Sequence, residues 1–185
     1  RSLGAIRRAM EGDGRFFAVA QRDSMVDHPS GTDLYAMGTI AHIKHIVQQP
    51  DQSLRVLVEG EKRALLLSVL EDEDSQAAVI LPKDEPQEVA DTNQKAIMRT
   101  IVSFVKSILN KRATPMPELI QAISGEKDPR CFADVVAAGV LTGLAERQQI
   151  LECSDDEERL NLLLKIVSEE LTLTDLEEKV QARAR

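Results

Sequence analysis

The residues of this sequence that could do chemistry are few. His42 and His45 have HxxH spacing, which on a helix would put both imidazoles on one face and let them share a metal ion. They lie instead in GTIAHIKHIVQ, a β-branched run that reads as a strand, where an odd spacing sends them to opposite faces, so joint chelation is not expected. His28 falls in a polar loop. Asp72, Glu73 and Asp74 form a dense carboxylate run, and Glu59 and Glu61 flank Gly60. Paired carboxylates do acid–base work only where a pocket separates their pKa values, and turns this polar are expected to hold charges in water. Cys131 and Cys153 stand far apart with no CxxC or Cys/His companion, which predicts two buried free thiols and neither a disulfide framework nor a zinc site. Gly139 and Gly143 have GxxxG spacing outside any apolar membrane segment, and Gly139 reads better as a left-handed helix cap. The sequence contains no GxxxxGK[ST] loop, no GxSxG elbow and no HExxH pair. No catalysis, metal or cofactor is therefore expected of these residues.

The elements that carry these side chains change character along the chain. Ser2 to Met10 reads as a short helix with Leu3, Ile6 and Met10 on one face, and Gly12 and Gly14 break it. A strand is predicted over Phe16 to Ala20, an exposed loop over Asp23 to Asp33, and a long strand over Gly38 to Gln48. Leu54, Val56 and Val58 alternate with polar or outward residues in a further strand that Gly60 is expected to end. Arg63 to Leu70 and Gln76 to Leu81 supply two more strands around the turn EDEDS. Connections this short imply antiparallel pairing. After the polar segment Lys83 to Asp91 the apolar spacing becomes three and four. Ile97, Ile101, Val105 and Ile108 line a helix over Thr92 to Lys111 that Asp91 and Gln94 should cap. Shorter helices are predicted over Met116–Ile123, Arg130–Ala138 and Leu144–Cys153. Ser154 and Glu157 have capping-box spacing at the start of a last helix, which carries one stripe at Leu160, Leu163, Val167 and Leu171 and a second at Leu173, Leu176 and Val180.

The fold class this implies is α+β: a small antiparallel, partly closed sheet domain over residues 1–85, then a helical bundle over 86–185 ending in a long helix. With 43% hydrophobic and 29% charged residues the 185-residue chain should fold, and 3% aromatics leave an aliphatic core. A formal charge of -8 argues against sequence-independent binding of nucleic acid, which needs clustered cations. No apolar run approaches the ~20 residues needed to span a membrane and no signal-peptide pattern opens the chain, so a cytoplasmic location is expected.

FFAVAQRDS, followed by DLYAMGTIAHIKHIVQQPDQSLRVLVEGEKRALL, resembles the N-terminal region of bacterial Lon proteases. The shared features are Ala20 and Gln21 at a strand end, Tyr35, Gly38 and Thr39, the Val56 to Gly60 strand, and Arg63 with Ala64. QQILECSDDEERLNLLLKIVSEELTLTDLEEKV, from Gln148 to Val180, is similar to the junction before that family's long connecting helix. The family opens with two strands that have no counterpart here, so the β-rich domain is expected to lack its first strands.

The resemblance implies a non-catalytic region that captures unfolded, damaged or short-lived regulatory proteins and helps organise a homo-hexamer. ATP, magnesium and the serine–lysine peptidase would belong to downstream domains. Candidate protein-binding residues are Met25 and Val26 in the loop, Tyr35 after it, and Leu173, Leu176 and Val180 on the last helix. The rivals are a free-standing protein-interaction or small-ligand module of the same fold, and a hydrolase using His42, His45 or the carboxylate turns.

Overall fold

The computed structural model describes residues 2–51, 53–71 and 76–183, and the chain divides into two compact units, Arg1–Glu85 and Pro86–Arg185. In the first unit, α1 (Ser2–Glu11) precedes β1 (Arg15–Ala18), a 3-10 turn (Gly31–Asp33), β2 (Met37–Gln48), β3 (Leu54–Glu71) and β4 (Gln76–Pro82). The strands form one antiparallel sheet in the order β1-β2-β3-β4, with β1 and β4 at its edges. On α1 the expected helix is present; Leu3 and Met10 are exposed, and Ala9 is the buried residue. Small side chains let the helix sit close to β1, where Ala5 and Ala9 line a cleft together with Phe16 and Phe17. Close pairing of β1 with β2 depends on Gly38, because a Cβ there would stand 2.5 Å from both the Ala18 carbonyl oxygen and the Phe17 ring.

Gly60 does not end a strand. It lies inside β3, which runs unbroken for 18 residues and absorbs both predicted strands on either side of it. Ala41 pairs with Gly60 and Ile40 with Lys62, so Glu61 is the extra residue of a bulge that bends the strand without terminating it. Glycine serves close packing here, since an added Cβ would stand 3.2 Å from the Thr39 methyl group. A second irregularity falls between Ile43 and His45. Because residues directly opposite in an antiparallel pair share a face, His42 opposite Glu59 and His45 opposite Leu57 lie on the same side of the sheet. The parity that would separate them is cancelled by the bulge at Lys44. Asp72, Glu73 and Asp74 lie outside the described residues.

The second unit consists of α2 (Thr92–Lys111), α3 (Pro117–Gly125), α4 (Pro129–Val140), α5 (Leu144–Glu152) and α6 (Asp156–Arg183). The predicted cap of α2 is present in both directions: the Gln94 backbone N–H donates to Asp91 Oδ1 at 2.8 Å, and the Asp91 N–H donates to Gln94 Oε1 at 2.9 Å. Ile101, Val105 and Ile108 face Phe132, Val136, Leu160 and Val167 in one buried cluster. The start of α6 is shifted by one residue from expectation. Asp155 rather than Ser154 caps it, with Oδ1 accepting from the Glu158 N–H at 2.8 Å. Gly139 is likewise no cap. The helix continues to Val140, and a Cβ on Gly139 would stand 2.8 Å from the Leu119 methyl groups, so Leu119 of α3 packs against the bare backbone of α4 there.

Helices α2 and α6 run parallel. Asn93 Nδ2 donates to Glu157 Oε1 at 3.0 Å near their starts, and Lys111 Nζ reaches Asp175 at 3.0 Å and Glu178 at 2.9 Å near their ends, where Arg112 also pairs with Glu170. Arg159 is the largest fully buried side chain of the bundle. It donates to the Ile150 carbonyl oxygen at 2.7 Å and pairs with Asp134, so its charge is compensated where it enters the interior.

Candidate functional site

The β3–β4 hairpin presents apolar side chains on both of its faces. Register places Leu66 opposite Ile80 and Val69 opposite Ala78 on one face, and Leu65 opposite Leu81, Ser68 opposite Val79 and Leu70 opposite Ala77 on the other. The first face lines a cleft of about 620 Å³ that also takes in Ile6, Phe16 and Leu34. The second is open: Leu70 is 55%, Val79 43% and Leu81 53% exposed, and Leu67, unpaired at the bulge beside them, is 55% exposed. Single exposed aliphatics are ordinary on a folded protein, whereas a contiguous set on neighbouring strands marks a surface that meets another macromolecule.

Sequence reasoning missed this face. Arg63–Leu70 and Gln76–Leu81 are apolar at nearly every position, a pattern that reads as strands buried on both sides. The usable signal was the absence of alternation in a hairpin whose turn is strongly acidic.

The residues singled out from sequence fall in two separate places. Met25 and Val26 sit in a loop held from within. Gln21 Nε2 donates to the Val26 carbonyl oxygen at 2.7 Å, and the Arg22 N–H donates to the Asp33 carbonyl oxygen at 2.7 Å. Met25 projects outward at 84% exposure, while Val26 is half-buried. Tyr35 closes the loop: its N–H donates to the Ala20 carbonyl oxygen at 2.9 Å, and its ring lies under the Arg22 guanidinium, 4.7 Å from the centroid. Leu173, Leu176 and Val180 form one exposed stripe on α6 in the second unit, while Thr174 between them is buried.

The titratable groups near the sheet are arranged as ion pairs. Arg15 Nε donates to Glu61 at 2.7 Å and its Nη1 to Asp13 at 3.0 Å, and this guanidinium holds both carboxyls below their usual range. Lys44 pairs with Glu59. Asp13 and Glu61, held ionised by Arg15, do not act as general acids near neutral pH. Among the described residues no three His, Cys, Asp or Glu side chains gather closely enough to hold a metal ion. The expectation of buried thiols is corrected. Cys131 is exposed and Cys153 half-buried, yet desolvation of its sulfur and a hydrogen bond with Glu126 push the Cys131 thiol up to about 11, which leaves it protonated and unreactive at neutral pH. No helix among the described residues is long and apolar enough to cross a membrane.

The family model for the ATP-dependent protease La (LON) substrate-binding domain matches residues 1–169. The Lon protease of Xanthomonas oryzae pv. oryzae is 33% identical over 190 residues, covering all of this chain and 22% of that protein. The Lon protease of Escherichia coli strain K12 is 30% identical over 185 residues, again covering the whole chain and 24% of that protein. The chain thus spans about a quarter of the length of these relatives or less. Among solved structures, the N-terminal domain of the Mycobacterium avium complex Lon protease matches with a TM-score of 0.66 at 23% identity, over 90% of this chain and 84% of that one, which shows a shared α+β fold. The fold and the matched length agree, and the chain belongs to the ATP-dependent protease La (LON) substrate-binding domain family.

Proposed function

We propose that this region is the capture platform of an ATP-dependent Lon serine protease, holding unfolded, damaged or short-lived regulatory proteins for a motor and peptidase that lie elsewhere in the polypeptide. In this reading the chain contributes binding and no bond-breaking step, works within a cytoplasmic homo-hexamer, and leaves ATP and magnesium to the motor. The observation that carries it is the open outer face of the β3–β4 hairpin, where Leu70, Val79 and Leu81 stand exposed side by side. An unfolded protein offers apolar side chains that a folded one hides, and a solvent-facing aliphatic strand pair binds them without demanding one sequence. Met25 in the loop and the Leu173, Leu176, Val180 stripe are secondary contacts of the same chemistry.

Photo-cross-linking of the full 185-residue chain to a carboxymethylated, permanently unfolded protein tests this. Cross-links from probes placed at Leu70 and Leu81, reduced several-fold by Leu70→Ser with Leu81→Ser, are expected. A chain that takes up no unfolded protein, while a small molecule saturates the cleft lined by Phe16 and Leu66, would favour the small-ligand module instead.

A further inference from the structure

A second groove, of about 510 Å³, lies in the helical unit between α2 and the turn that joins α3 to α4. Its floor is apolar: Met98 and Ile123 are buried beneath it and Val102 is half-buried. Its rim is cationic. Lys95, Arg99 and Lys106 follow one another at helical spacing along α2, and Lys127 stands across from them. No carboxylate among the described residues forms an ion pair with any of these four, whereas Lys111, Arg112, Arg130 and Arg159 of the same unit each hold one. The one acidic side chain in the lining, Glu126, is already engaged, its Oε1 accepting from the backbone N–H groups of Lys127 at 2.7 Å and Asp128 at 2.9 Å. Lys95 and Arg99, four residues apart, repel one another with no ion-pair partner among the described residues to offset it.

Within a chain of formal charge -8, this groove concentrates uncompensated positive charge around an aliphatic floor. Phosphate chains would meet the cations but gain nothing from Met98, Val102 and Ile123. A purely apolar segment would fill the floor and leave the cations unanswered.

We propose that the groove between α2 and the α3–α4 turn docks polypeptide segments in which aliphatic side chains are flanked by Asp or Glu. This rests on the capture reading above and adds a substrate class to it: apolar segments with acidic flanks enter here, while the β3–β4 face takes apolar segments irrespective of charge.

Fluorescence anisotropy on the full chain tests it with two labelled twelve-residue peptides, a leucine-rich core between glutamates and the same core between lysines. Binding of the glutamate peptide should exceed that of the lysine peptide by roughly tenfold or more, and should weaken when salt is raised to about 0.3 M. Arg99→Glu with Lys127→Glu, both solvent-facing, should abolish or reverse the preference, with helicity and melting unchanged. Equal affinity for both peptides, or an unaltered preference in the double variant, overturns the proposal. So does self-association of the chain that the double variant abolishes while peptides go unbound, which would make a second copy the occupant. Tighter binding of inorganic polyphosphate than of the glutamate peptide overturns it as well. The two readings separate cleanly: unfolded protein still captured through Leu70 and Leu81 by a chain indifferent to the groove variants leaves the capture reading standing and removes this one, whereas a chain that holds neither unfolded protein nor peptide removes both.

Discussion

The two units spend their apolar side chains in opposite ways. In the sheet unit the buried hydrophobic residues are Ala9, Met37, Ala41 and Ala64, while Leu57, Leu67, Leu70, Val79 and Leu81 are exposed. In the helical unit Ile101, Ile108, Phe132, Leu160, Leu163 and Val167 are all fully buried in one cluster. The bundle draws its stability from a filled interior, and the sheet holds its shape through backbone pairing and close approaches between small residues while several of its large aliphatics stay exposed.

The difference can be tested by truncation. Phe132→Ala, in the middle of the bundle, should cost about 3–5 kcal/mol, read as a shift in the denaturant midpoint of the helical signal. In the sheet unit the sensitive residue is the smallest one: Gly38→Ala should cost about 1–3 kcal/mol, because Ala18 and Phe17 of β1 must move away from β2 to admit the methyl group. Asp91→Ala removes one side of the α2 capping box and should cost about 1 kcal/mol in the same titration. Leu81→Ser should change stability by no more than about 0.5 kcal/mol while lowering capture of unfolded protein. A large stability loss from Leu81→Ser would erase the contrast between the units, since the outer face would then be structural.

Much of the bundle was legible in the sequence, because helices announce themselves locally. The three- and four-residue spacing fixed α2 to the residue, and Asp91 with Gln94 marked its start through contacts three residues apart. At α6 the same logic slipped by one, since Ser154, Asp155 and Asp156 can all cap and only packing chooses among them. Glycine misled twice. Gly60 and Gly139 look like punctuation in a linear reading, but each lies inside an element and close against a side chain of another, Thr39 or Leu119. Bulges at Glu61 and Lys44 leave no trace in composition, and they alone decide that β3 continues and that the two histidines share a face. The open hairpin face was hidden for a related reason: an unbroken apolar strand reads the same whether its second side is covered or bare. The exposure of Met25 and of the α6 stripe was legible because a loop or a late helical turn declares itself in sequence.

The parallel course of α2 and α6 has a mechanical consequence. Their cross-links run from Asn93 with Glu157 to Lys111 with Glu178, so a tug along α6 from its far end would load that whole series in shear rather than peel it one turn at a time. Side chains slid past one another must break many contacts together, and the bundle would resist such traction as a unit.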